Sequence, residues 1–352
     1  MSFKKLFIMA AIALAAVACE DEEDTTTTPS LDGALTFSVP EYVAQLQTVT
    51  MTPKGVEHPD GKVIGYYWKV IPTMTVADTT RYSNGLDSNS ADGKPSDGSF
   101  THTFSDTLQT YKVYANAYAS GYATSTASRD VKVVKGGLNG SIKNTGIFSF
   151  DAKVSADGMD YYYVRIGDLD WMRNNLSNPA SGIPYRNAEV MSDVFGRYYS
   201  YDEAMTACPE GWRLPTDAEW VAMASNFTSD SASSAYNPIS GVAASLMANA
   251  TFNGLEMWEY VPTVGDITNS SRLSFLPVGY ADKGSQDENG GYPGASFMGL
   301  NEYSVFWTAD VVADESDMAY CRYLVCDQSA LFTSKASRSS FGASVRCVRQ
   351  AQ

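Results

Sequence analysis

Histidine is nearly missing from this chain. Of its 352 residues only His58 and His102 are histidines, and both lie in the first third. The other two thirds therefore cannot build a Ser-His-Asp triad, a Cys-His pair or a His-ligated zinc. Positive charge is scarce too: 25 Lys and Arg stand against 40 Asp and Glu, for a formal net charge of -15. So acidic a chain repels a phosphate backbone, which argues against nucleic acid as a partner and against a basic patch for anionic lipid. Charged residues make up 18% of the chain, against a usual ~25%. The polar surface must come mostly from Ser, Thr, Asn, Gly and the 22 Tyr. No apolar run reaches the ~20 residues that a membrane-spanning helix needs. What is present is 44% hydrophobic residues, too many for a disordered chain and enough for about two domains.

The N-terminus has a distinct pattern. Lys4 and Lys5 precede an apolar run from Leu6 to Ala18, which fits the h-region of a signal peptide spanning 1–18. The run ends Ala16-Val17-Ala18-Cys19. Small residues before a cysteine resemble the bacterial lipobox, with Ala16 standing where that family prefers Leu. The resemblance implies that Cys19 is lipidated, carries several acyl chains (palmitate among them) and becomes the new N-terminus, a stable anchor. Glu20 to Asp24 and then Thr25 to Thr28 follow. Like charges beside a threonine tract cannot pack, so 19–30 is expected to be a solvated tether. An acidic run just after the cysteine also resembles the surface-export signal of Bacteroidetes lipoproteins. That implies the outer membrane of a Gram-negative bacterium, with the protein facing outward.

Residues 31–135 read as short strands between turns. Leu35–Val39, Val49–Thr52, Val63–Val70, Tyr111–Tyr118 and Val131–Val134 carry β-branched and aromatic residues, and Gly85–Gly98 reads as a loop. About seven short strands suggest a β-sandwich. Tyr66-Tyr67-Trp68, Tyr111-Lys112-Val113, Gly121 and Val131 to Val134 resemble a PKD or immunoglobulin-like module, which implies a spacer or binding platform. Trp68 is expected in the core, and His58 and His102 at the surface or a strand edge. Residues 136–156 are glycine-rich and read as a linker with a first strand, Gly146 to Val154.

Residues 157–349 change pattern. Thr216 and Glu219 have capping-box spacing, and Trp220, Met223, Ala224 and Phe227 then fall on one helical face. Tyr201 to Ala207 reads as a short helix ended by Cys208-Pro209, and Gly241 to Ala250 as another. Val305–Thr308, Met318–Val325 and Ala343–Val348 read as strands. Helices followed by hairpins indicate an α+β unit.

The same stretch carries Tyr163-Val164-Arg165-Ile166-Gly167, Trp171-Met172, Cys208-Pro209-Glu210-Gly211-Trp212-Arg213-Leu214-Pro215-Thr216, Leu276-Pro277-Val278-Gly279, Phe306-Trp307 and Ser344-Val345-Arg346-Cys347-Val348. In order and spacing these resemble the Fibrobacter succinogenes major paralogous domain. The resemblance implies a C-type-lectin-like fold, also used by formylglycine-generating enzymes, and a disulfide between Cys208 and Cys347. Closing so long a loop is expected to contribute about 4–5 kcal/mol.

Three functional readings follow. Cys321 and Cys326 are five apart, so on one strand they face opposite ways and cannot pair unless the chain turns. Cys321 is similar to a cysteine-bearing strand of formylglycine-generating enzymes, but Ser316 occupies the place of the second cysteine that site needs, so no catalytic residue is assigned. The Glu-Pro-Asn or Gln-Pro-Asp loop and the Trp-Asn-Asp strand of calcium lectins are absent, so no cofactor or metal is assigned, and calcium stays open only without its motifs. Between Thr228 and Tyr303, Trp258, Tyr280, Asp282, Asp287, Glu288, Asn289 and Tyr292 offer rings, carboxylates and amides that could hold a sugar, though Asp282 to Gly291 also reads as a plain solvated loop. The expected function is noncovalent recognition of a glycan or an adhesion partner by this long-loop face. The alternatives are an envelope or fimbrial component that binds other proteins, and a thiol-dependent enzyme. Asp24-Thr25-Thr26, Asp78-Thr79-Thr80, Asp106-Thr107-Leu108 and Asp230-Ser231-Ala232 look like Bacteroidetes O-glycosylation acceptors.

Overall fold

A computed structural model describes residues 27–73, 81–83, 97–105, 109–229, 234–258, 265–288 and 291–352. The expected signal peptide, Cys19, the acidic run, all four glycosylation motifs and Asn289 lie outside them, as does most of Gly85–Gly98. Among the described residues no helix is long and apolar enough to cross a membrane. The protein is built mainly of strands, with few short helices.

The first unit is a sheet of five strands in the order Tyr42–Ala44, Ser125–Val134, Thr110–Tyr118, Gly65–Pro72 and Arg81–Ser83. Only the pairing of Tyr42–Ala44 with Ser125–Val134 is parallel. The period-2 pattern explains its buried face, because Tyr111, Val113, Ala115 and Ala117 alternate into one core with Val131 and Val133. Two ribbons pack onto that face: Asp32–Thr36 with Lys54–Glu57, and Gln47–Met51 with Phe100–Phe104. They add Leu35, Val56, Met51, Phe100 and Phe104 to the same core. On the ribbon's wet side, Thr48 and Thr50 hydrogen-bond Thr103 and Thr101 across the strands at 2.8 Å.

Trp68 is buried, between Phe37 edge-on at 5.0 Å and Phe100 stacked at 5.7 Å, and its indole N–H donates to the Gly98 carbonyl. His58 departs from expectation. It is buried rather than at the surface, with its ring against Tyr122 and its Nδ1 accepting the Asp60 N–H. A local turn, in which the Gly61 N–H donates to the His58 carbonyl, holds the side chain against Tyr122. His102 is half-buried on its strand among Phe100, Phe104 and Tyr111.

The second unit opens with an antiparallel sheet in the order Lys153–Ala156, Met159–Ile166, Leu169–Met172 and Val348–Gln350. The predicted first strand starts late, since Gly146 to Asp151 is an irregular segment. Among the described residues four α-helices follow: α1 (Ser192–Phe195), α2 (Tyr201–Ala207), α3 (Asp217–Ala224) and α4 (Ala243–Leu246). Both α2 and α3 begin at capping boxes, Ser200 with Glu203 and Thr216 with Glu219, which satisfy N–H groups a helix start leaves open. α4 is only one turn, shorter than Gly241–Ala250 suggests. Met247 turns extended and the Ala248 N–H goes to the Phe275 carbonyl, so a tertiary partner replaces the next helical bond. A three-stranded sheet of Tyr303–Val311, Met318–Val325 and Phe332–Ser337 completes the core. Ala343 to Val348 is extended but is held by separate bridges to Tyr199, Phe306 and Arg213 rather than by one ladder.

The two units share a small core. Tyr42 and Val134 of the first pack with Tyr185, Phe195 and Phe252-side residues of the second. Asn253 ties them by donating its amide to the Val133 carbonyl at 3.0 Å.

Candidate functional site

Of the described long-loop residues, Trp258 lies in a different part of the fold from the others. Trp258 is 6% exposed, packs with Trp220, Leu246 and Phe275, and donates its indole N–H to the Phe275 carbonyl. It is a core residue and presents no ring to a ligand, which corrects the expectation. Tyr280 is half-buried, stacked on Phe341 and edge-on to Tyr303. Asp282 is exposed and accepts the Gly284 N–H; Asp287 accepts the Gly291 N–H at 2.7 Å and so closes a local turn. Glu288 is exposed. Tyr292 does have a partner in the fold: the Lys283 ammonium lies 4.0 Å from its ring centroid. Lys283 is fully buried, is ion-paired to Glu203 of the α2 capping box, and has its pKa lowered by that burial against the pull of Glu203. This pair ties Lys283, and through it the Tyr292 ring, to the start of α2.

Cys208 and Cys347 are bridged, with Cα atoms 5.9 Å apart. The bridge fastens the end of α2 to the last segment of the chain. Cys321 is a thiol outside any bridge, 2% exposed, and its pKa is pushed up to about 12 by burial. Reactivity belongs to the thiolate, so at neutral pH this group behaves as a small apolar side chain. Cys326 lies just past the strand end, half-buried.

A concave surface does form, in a place the sequence marks only as a linker. A cleft of about 610 Å³ opens where residues 137–147 run beside the second unit. Leu138, Asn139, Ile142 and Ile147 form one wall, and Asp193, Val194 and Phe195 of α1 face them. Met159, Asp160 and Tyr162 come from the sheet, and Arg173, Asn174, Ser274 and Arg346 form the floor. Leu138 is 37% exposed, so part of the wall is apolar and open to water. Gly140 belongs to this linker: a Cβ there would meet the Lys135 carbonyl at 2.3 Å. Sequence reading treats the glycines as a boundary signal, and the same glycines let the chain fold tightly enough to make a wall.

The floor is rigid. Arg173 is ion-paired with Asp151 and donates to the Gly146 and Arg272 carbonyls. Arg346 donates to Asn175 Oδ1 at 2.7 Å and to the Leu273 and Met172 carbonyls, with its guanidinium 4.9 Å from the Phe275 ring. Burial, and then the nearby Arg173 charge, lower the Arg346 pKa. These donors hold the irregular 145–151 and 271–276 segments in place. Among the described residues no group of His, Cys, Asp and Glu is arranged to hold a metal ion. The chemistry this cleft can offer is a mixed apolar and hydrogen-bonding surface.

With that geometry in hand, comparison with known families is informative. The model of the Fibrobacter succinogenes major domain matches residues 164–349, more than half of the chain. The chain belongs to that family. The family domain contains both capping boxes, the Cys208–Cys347 bridge and the cleft floor, while the linker wall lies outside it. No curated protein matches the chain. Among solved structures, the superoxide reductase (neelaredoxin) from Ignicoccus hospitalis is similar at 15% identity, over 28% of this chain and 80% of that one, with a TM-score of 0.22. A variant of it matches at 13% identity over 29% of this chain, also at 0.22. At such scores the likeness says nothing of fold or chemistry.

Proposed function

We propose that this Fibrobacter succinogenes major domain protein is exported, anchored by lipid at Cys19, and recognises an adhesion partner noncovalently at the cell surface. The observation that carries this reading is the cleft beside residues 137–147. Its wall combines exposed Leu138 with Ile142, Ile147 and Met159, and Asn174, Asp160 and Asp193 supply hydrogen-bonding groups around them. A segment of a protein partner, with alternating apolar and polar side chains, suits that surface better than a sugar does. The thiol-enzyme alternative loses support, because its best residue is Cys321, buried and with a raised pKa. In this reading the first unit is a PKD or immunoglobulin-like spacer, and the family domain has a C-type-lectin-like arrangement. Two capped helices ahead of the terminal strands, with a bridge between them, support that assignment.

The test is capture from envelope extracts on the immobilised mature chain, compared with Leu138→Arg. The substitution places a charge on the apolar wall at an exposed position, so folding should survive. Specific partners retained by the natural chain and lost by the variant support the reading. Capture that is indifferent to Leu138→Arg removes the cleft as the site.

A further inference from the structure

We infer that Tyr236, backed by Tyr320 and Asp310, is a binding platform for a neutral hexopyranose of an extracellular glycan. It stands apart from the cleft, with which it shares no lining residue. The Tyr236 ring stacks on Tyr320 with centroids 4.2 Å apart and an interplanar angle of 26°, and Tyr236 stays 42% exposed. The ring is held flat against a second ring while much of its surface remains in water, where an aromatic face can take an apolar ligand surface.

The ring is held in place from beneath. Tyr236 has φ +62°, a region bulky residues rarely adopt. Its N–H donates to Asp217 Oδ2 at 2.6 Å, and its hydroxyl donates to Asp310 Oδ1 at 3.1 Å. Asp217 is itself fixed by a two-pronged pair with Arg322 at 2.5 and 2.6 Å, both side chains fully buried, and Arg322 also donates to the Asn237 carbonyl at 2.6 Å. A backbone conformation of this kind persists only where its surroundings over-determine it, and such positions concentrate at ligand clamps.

The chemistry selects the ligand. A pyranose has a face of C–H groups that lies on an aromatic ring and a rim of hydroxyls that donate hydrogen bonds. Asp310 provides the acceptor beside the ring. Its Oδ1 takes the Tyr236 hydroxyl and its Oδ2 takes the Asp217 N–H, and a carboxylate has about four acceptor positions. Hydrogen bonds to a charged acceptor are the stronger kind. The Asp310 carboxylate beside the ring, on a chain of net charge -15, disfavours uronic or sulfated sugars, while a cation near the platform, Lys335 opposite Tyr320, is ion-paired with Glu315.

The test is titration calorimetry on the mature chain with gluco-, manno-, galacto- and xylo-oligosaccharides, with polygalacturonate as the anionic comparator. At least one of the three neutral hexose oligomers should bind. Tyr236→Ala should weaken that binding tenfold or more, Asp310→Asn should weaken it severalfold, and Leu138→Arg should leave it unchanged. Tyr236 is exposed, and unchanged circular dichroism would show that its variant is folded. No binding by any neutral hexose oligomer, equal binding by polygalacturonate, or binding indifferent to Tyr236→Ala would each overturn the inference. Binding lost in Leu138→Arg but kept in Tyr236→Ala would place the sugar in the cleft and overturn it too. Apart from that last outcome, which would also put a sugar where the proposed function puts a protein segment, none of these results bears on capture of a protein partner, so the two readings fail separately.

Discussion

The two units bury their polar groups in opposite ways. In the first, the buried polar side chains among the described residues are His58 and Asn116, and the core is otherwise apolar. In the second, Arg173, Arg197, Arg322, Arg346, Asp170, Asp217 and Lys283 are all buried. The reason lies in the backbone. The first unit pairs its N–H and C=O groups in long ladders, such as the eight-residue register between Gly65–Pro72 and Thr110–Tyr118. The second unit has long irregular segments, and a buried carbonyl without a ladder partner needs another donor. Arg346 serves Met172, Leu273 and Ser274; Arg173 serves Gly146 and Arg272; Arg322 serves Asn237. A chain with few charges spends several of its arginines as internal donors, and that is how irregular backbone comes to hold a defined shape around a site.

If the second unit is held by such pins and the first by its ladders, removing one pin should be costly. The largest effect is expected from the bridge. Cys347→Ser opens a connection that spans 139 residues, worth about 5 kcal/mol in the chain-entropy account. Denaturant unfolding followed by tryptophan fluorescence should show the midpoint falling by a corresponding amount. An unchanged midpoint would mean that the donors alone hold the family domain.

Next in size is the Asp217–Arg322 pair. Asp217→Ala leaves a buried guanidinium without its counter-charge, at a cost of about 3–5 kcal/mol. The double variant Asp217→Leu with Arg322→Met removes both charges and should regain much of that loss. It would also free the Asn237 carbonyl and the Tyr236 N–H, so recovery should be incomplete. Full recovery would show that the pair does not serve the backbone, and the contrast between the units would weaken.

Local signals in the sequence translate well where they are self-contained. Tyr201–Ala207 is a helix with the expected limits because Ser200 and Glu203 cap it and the Cys208-Pro209 step stops it. Met318–Val325 is a strand as expected. Tertiary partners are what composition cannot show. Trp258, in a stretch rich in Ser, Asn and Gly, reads as an exposed ring, yet it joins the buried cluster of Trp220 and Phe275 and donates its indole N–H to the Phe275 carbonyl. Nothing local in the sequence marks Arg346 and Arg322 as internal donors, because it does not show which carbonyls will lack partners. The cleft wall was hidden for a similar reason, since glycines that separate domains and glycines that permit a close approach look alike. Tyr236 stands beside a Ser-rich run and carries no local sign of the Asp217 and Asp310 that position it.

The smallest effect tests whether a pin at the surface differs from one inside. Glu219 closes the α3 capping box, accepting the Thr216 N–H at 2.8 Å, and pairs with Arg213 at 2.5 Å. Burial pushes its pKa up, but the Arg213 pair and the Thr216 N–H outweigh it, so the folded value lies below the ordinary one. A carboxylate with a depressed folded pKa contributes stability that is complete above its unfolded value, about 4.3, and that fades as pH falls through the folded value. Glu219→Gln should therefore cost about 1 kcal/mol at pH 7, and the difference from the natural chain should close below about pH 4. Arg213 is 52% exposed, so 1 M salt, with a screening length of about 3 Å, should shrink the same difference. The Glu203–Lys283 pair carries the same kind of cap at α2, but its lysine is fully buried, so its contribution should resist salt. A salt response that is equal at both caps would erase the distinction between surface and interior pins.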